Sequence, residues 1–92
     1  LWISHVTVTG PKAYRSYATR AVDIITEYGG VFLSRGGAHR QLEGTAHERH
    51  VVVRFPSLDV AEKCYNSEAY QAELIYAQGA SERQLVIVQE TQ

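Results

Sequence analysis

Two stretches of this chain, "HVVVRF" at 50–55 and "QLVIVQE" at 84–90, are apolar on both sides of an extended backbone. Alternation puts Val51, Val53 and Phe55 on one face of the first, and His50, Val52 and Arg54 on the other. In the second, Leu85 and Ile87 oppose Val86 and Val88. Strands of this kind need cover on both faces. The chain has 92 residues, enough for one domain over 1–92 and one layer of helices against a small sheet. The second cover is therefore expected from another copy: a two-fold homodimer with its sheets facing one another across a barrel-like interior.

The remaining segments place these strands in order. "LWISHVTVTG" alternates as a strand, with Trp2, Val6 and Val8 on one side and Ile3, His5 and Thr7 on the other. Gly10-Pro11 ends it, and Pro11 suits the first position of a helix. Tyr14, Tyr17, Ala18, Ala21, Ile25 and Tyr28 then recur at helical spacing up to Gly29-Gly30. "VFLSR" and "HVVVRF" follow as strands. Ser57 caps a helix running through Val60, Ala61 and Cys64 to Tyr65, and Ser67 caps a second piece, "EAYQAELIYAQ", that stops at Gly79. "QLVIVQE" closes the chain as a strand. The predicted fold is α+β, a ferredoxin-like βαββαβ unit with a four-stranded antiparallel sheet and a second helix split at Asn66-Ser67.

Composition narrows the function. A net charge of −1 with acids and bases interspersed lacks the one-sided basic surface that nucleic acid requires. No apolar run is long enough to span a membrane. The lone cysteine, Cys64, excludes an internal disulfide and a cysteine-cage zinc site, so a cytoplasmic location is expected. Cys64 itself falls on the inward side of its helix and reads as a small apolar residue.

The segment "SRGGAHRQLEG" at 34–44 is the most conspicuous local motif. Phosphate-binding glycine loops stand between a strand and a helix N-terminus. Gly36-Gly37 instead lies between "VFLSR" and "AHRQLE", both strand-like, so the expected structure is a strand that kinks or bulges at the glycines. The better functional signal is polarity on the sheet face away from the helices. His50 and Arg54 belong there by alternation, with His5, Arg35 and Glu43 as further candidates. They read either as a salt-bridged network at the dimer interface or as a pocket for a small anionic ligand. In the second case His50 would be the catalytic acid or base and Arg35 or Arg54 the anchor. Tyr65 and Tyr70 are candidates for the pocket border. The spacing of His5, His39, His47 and His50 matches no metal-binding pattern, so no metal is expected.

"YGGVFLSRGG", "LEG", "VVVRFPSLDVAEKCYNSEAYQA" and "LVIVQ" together resemble the DUF1330 family over nearly the whole chain. That resemblance implies the dimeric α/β-barrel version of the ferredoxin-like fold and no established activity; no cofactor is expected. The chain departs from the family pattern at Gly10, Arg54, Cys64 and Ala77. The changes at 54 and 77 remove an acid and a base together, which leaves Arg54 in need of a new partner, with Glu43 the candidate. Two functions stay open. One is a homodimer that binds a small anionic or aromatic molecule. The other is a cofactor-free enzyme, isomerase or monooxygenase-like, acting on a small carbonyl or aromatic compound. An enclosed cavity reached by a titratable group would separate an enzyme from a purely structural dimer.

Overall fold

The computed structural model describes residues 1–91. Its elements are β1 (Trp2–Val8), α1 (Pro11–Glu27), β2 (Val31–Arg35), β3 (Arg49–Arg54), α2 (Leu58–Asn66), α3 (Glu68–Gln78) and β4 (Ser81–Ile87). The sheet order is β2-β3-β1-β4 and every neighbouring pair is antiparallel. This is the ferredoxin-like arrangement, with the three helices on one face of the sheet. Among the described residues no helix is long and apolar enough to cross a membrane.

Local chemistry explains most boundaries. Pro11 opens α1, where its missing N–H costs nothing. At the other end Gly29 takes a φ of 84° and donates to the Thr26 carbonyl at 2.9 Å. Ser57 Oγ accepts from the Val60 N–H and Ser67 Oγ from the Tyr70 N–H, so each half of the split helix has its own cap.

The core lies between helices and sheet. Trp2 is its hub, with ring centroids 5.1 Å from Tyr70 edge-on, 5.6 Å from Phe55 and 6.0 Å from Tyr65. Val6 and Val53 are fully buried beside it, as is Cys64, whose thiol burial pushes up to about 11. The opposite face is bare over much of its area: Val31 is 59% and Val86 51% exposed.

The structure departs from the sequence reading around the glycines and at two strand starts. Residues 37–48 form no strand, so "AHRQLE" is loop. The bulge falls at Leu33, between Phe32 and Ser34, rather than at the glycines. Gly36 ends β2 instead: its φ is 69°, its N–H donates to the His50 carbonyl at 2.9 Å, and a side chain there would collide with the Arg49 guanidinium. β3 starts at Arg49 and β4 at Ser81, one and three residues earlier than alternation of apolar residues indicated. The long β1 supplies the reason. Its C-terminal half pairs Val6 with both Arg49 and Arg83, and Thr7 with Glu82, so ladder bonds extend both partners into polar sequence.

Candidate functional site

The bulge at Leu33 decides which polar groups meet. Val31 pairs with Arg54 on the open face. Without the extra residue, alternation would return Arg35 to that face. With it, Arg35 pairs with Val51 and turns to the helix side. Arg35 is thus separated by the sheet from His50. Its guanidinium lies 5.2 Å from the Phe32 ring centroid.

On the helix side Arg35 joins two other arginines. Arg49 of β3 and Arg83 of β4 flank β1 at the level of Val6. The three rim a cavity of about 40 Å³, floored by Ser4 and Val51 and roofed by Tyr14 and Tyr17 of α1. That is space for roughly three waters or one carboxylate-sized group. Deep in its wall, the Tyr17 and Tyr70 hydroxyls are 2.6 Å apart. Arg83 Nη2 donates to both, at 3.0 and 3.3 Å, and its guanidinium lies 5.0 Å from the Tyr17 ring centroid. Burial, then the neighbouring Tyr70, pushes the Tyr17 phenol well above its ordinary value, with Arg83 pulling the other way. Burial likewise raises Tyr70. Both phenols are neutral at physiological pH.

Charge in this cavity is unbalanced. Among the described residues the ion pairs are Arg20–Glu73 and Arg54–Glu90, so no carboxylate pairs with Arg35, Arg49 or Arg83. The Nε atoms of Arg49 and Arg83 are buried and have no hydrogen-bond partner. An unmet buried donor on a cation costs more than a neutral one.

The open face holds a separate cluster. His5 and His50 meet with Nδ1 atoms 2.7 Å apart. The 37–48 loop brings His39 to His50, with ring centroids 4.4 Å apart, and His47 to within hydrogen-bond reach of Thr7 at 3.0 Å. Burial, followed by the nearby His39, His5 and His47, holds His50 below the ordinary histidine value. Among the described residues no group of three or more histidine, cysteine, aspartate or glutamate side chains is arranged to hold a metal ion.

The candidates read from the sequence therefore divide. His5 and His50 come together, and Tyr70 lies tilted against Tyr65 with ring centroids 5.5 Å apart. Arg54 shares the open face with His50 but stands four residues along β3, about 13 Å away by strand rise. Its partner is not Glu43 but Glu90, which accepts from Nε at 3.0 Å and Nη2 at 2.9 Å. Glu43 is exposed in the loop, its carbonyl accepting from the Gln41 side chain. Strand pairing favours Glu90 because β4 carries the chain back past the start of β1. Arg49, Arg83, Ser4 and Tyr17 are site residues that the sequence alone does not single out. The legible signal was a charge at an inward position: Arg49 alternates with Val51 and Val53, and Arg83 with Leu85 and Ile87. Starting the strands at His50 and Gln84 cut off both.

The family model described as "Domain of unknown function (DUF1330)" matches residues 1–91. No functionally curated protein matches the chain. Among solved structures, a Rhodopseudomonas palustris protein of unknown function superposes with a TM-score of 0.81 at 15% identity, covering 99% of this chain and 81% of that one. SnoaB, a cofactor-independent oxygenase from Streptomyces nogalater, superposes with a TM-score of 0.62 at 16% identity, covering 98% of this chain and 92% of that one. At these identities the likeness is one of fold.

Proposed function

The chain belongs to the DUF1330 family, and from that premise we propose that it is a homodimer binding a small organic anion in the arginine-rimmed cavity between α1 and the sheet. The observation that carries the reading is the pair of buried, acceptorless Nε–H groups on Arg49 and Arg83. Three guanidiniums around a carboxylate-sized space, with no carboxylate among the described residues to neutralise them, match an acidic head group in charge and size. The aromatic rings of Tyr14, Tyr17 and Phe32 at the same cavity favour an unsaturated or aromatic body at its mouth, outside the carboxylate-sized space. The dimer reading is supported by the exposed valines of the bare sheet face and by the architecture the family resemblance implies.

Isothermal titration with benzoate and acetate tests the site. Saturable binding at one site per chain is expected, weakened at least about tenfold in Arg49→Met, the loss of one charge-assisted contact of about 1.5–3 kcal/mol. Affinity unchanged in that variant would remove the site from this cavity.

A second reading, cofactor-free catalysis on a small carbonyl or aromatic compound, draws on the fold shared with SnoaB and on Tyr17 and Arg83 reaching the cavity. The raised phenol weighs against it, since Tyr17 can donate a proton in a hydrogen bond but is a poor base at neutral pH. Binding is the better-supported function.

A further inference from the structure

All four histidines of the chain gather at one end of the open sheet face, although two of them come from the 37–48 loop. That cluster plays no part in the arginine cavity, which lies on the other side of the sheet. We propose that the histidine cluster makes self-association through this face pH-dependent, so that the dimer holds at neutral pH and separates in mildly acidic solution. The inference rests on the reading of the open face as the dimer interface.

Geometry carries it. With Nδ1 atoms 2.7 Å apart, His5 and His50 can share one proton but not two. If both rings are cations, both Nδ1 atoms carry hydrogen, the contact becomes donor against donor, and the pair must open. His39 sits edge-on against His50 at 4.4 Å and His47 stacks 6.3 Å from His5. A first cation in the cluster is thus surrounded by imidazoles rather than by carboxylates. The other groups facing it do little to compensate. From β4, Glu82 stands opposite Thr7 and the uncharged Gln84 opposite His5. Before β3, Glu48 accepts from the Val8 N–H at 2.8 Å instead of bonding a histidine. Arg54, a cation, is already held by Glu90 at the far end of the face. A second copy pressed onto the face removes water from the same imidazoles, and charge left without a partner there is costly.

The sign follows from His50. Its pKa is lowered from the ordinary 6.5 by burial first and then by the three other histidines, so the native form binds protons less readily than free imidazole. That shift is already present in the single chain. A second copy removes more water from the same ring and lowers it further, so the dimer is favoured while His50 is neutral and is lost as the pH falls below 6.5 toward the single chain's lowered value. If separation takes up one proton per protomer, two per dimer, the dimer dissociation constant rises up to about a hundredfold per pH unit in that range.

Sedimentation equilibrium of the intact chain from about pH 8 to about pH 5, with circular dichroism at each pH, tests the switch. The wild type is expected to be dimeric at the upper end and to dissociate, still folded, at the lower. His5→Gln/His50→Gln is expected to stay dimeric throughout. Because that double change touches the sheet, His39→Gln/His47→Gln on the loop provides an independent variant with a flattened pH dependence. A wild-type dimer whose dissociation constant is constant across the range overturns the switch and leaves the interface standing. A monomer at the upper end overturns the interface and the switch together. Dissociation as steep in both variants as in the wild type removes the histidines as its cause.

Discussion

Arg83→Met is expected to yield a more stable protein that has lost its affinity for small carboxylates. Arg83 is a partly buried cation that, among the described residues, has no carboxylate partner and an Nε–H that meets no acceptor. Its bonds to the Tyr17 and Tyr70 hydroxyls recover part of that cost. Removing the guanidinium leaves the two hydroxyls bonded to each other at 2.6 Å, so no new unpaired group is created among them. A methionine of similar length fills the stem's space beside Tyr17. Replacement of buried ionic groups by apolar ones of like volume is commonly neutral or stabilising by 1–4 kcal/mol. A gain of about 1 kcal/mol corresponds to roughly 4–8 °C in melting temperature for a domain of this size. Binding moves the other way, by about thirtyfold or more, since a charge-assisted contact to the anion is lost. Scanning calorimetry and titration on the same samples, at equal chain concentration, read both quantities. A variant that melts several degrees lower while binding benzoate as before would make Arg83 a structural residue.

Val86→Asp is expected to convert the proposed dimer to a folded monomer. Val86 is 51% exposed on the open face, so within one copy the aspartate stays in water and the fold survives. In the dimer two such carboxylates would be buried against apolar neighbours without a cation, a cost of several kcal/mol against the association energy. Light scattering at micromolar concentration should give the mass of one chain, with an unchanged circular dichroism spectrum. Ile75→Asp on α3, 70% exposed and outside the sheet, is the control that keeps the dimer. An intact Val86→Asp dimer would put the interface elsewhere.

Much of the fold was legible because its signals are local. Pro11, Gly29, Ser57 and Ser67 mark helix ends by their own chemistry, and the structure uses each of them for that purpose. Strand starts were less legible because ladder bonds from β1, not side-chain preference, draw Arg49 and Ser81–Arg83 into the sheet. The site suffered most from this. A strand's two faces are told apart by parity, and parity is erased by a single bulge. One extra residue at Leu33 moves Arg35 from the histidine side to the arginine side, and nothing in "VFLSR" announces where that residue is inserted. Arg54 taking Glu90 instead of Glu43 is a similar case, since the pairing depends on where the chain goes after β4.

The most direct test of an anion held by Arg49 and Arg83 is to watch their Nε–H resonances in the nitrogen-15 spectrum during titration with benzoate. Two side-chain signals, assigned by their loss in Arg49→Met and Arg83→Met, should move downfield together and saturate as the orphaned donors gain an acceptor. Signals that stay still while those of His5 and His50 shift would place the ligand on the opposite side of the sheet and contradict the account.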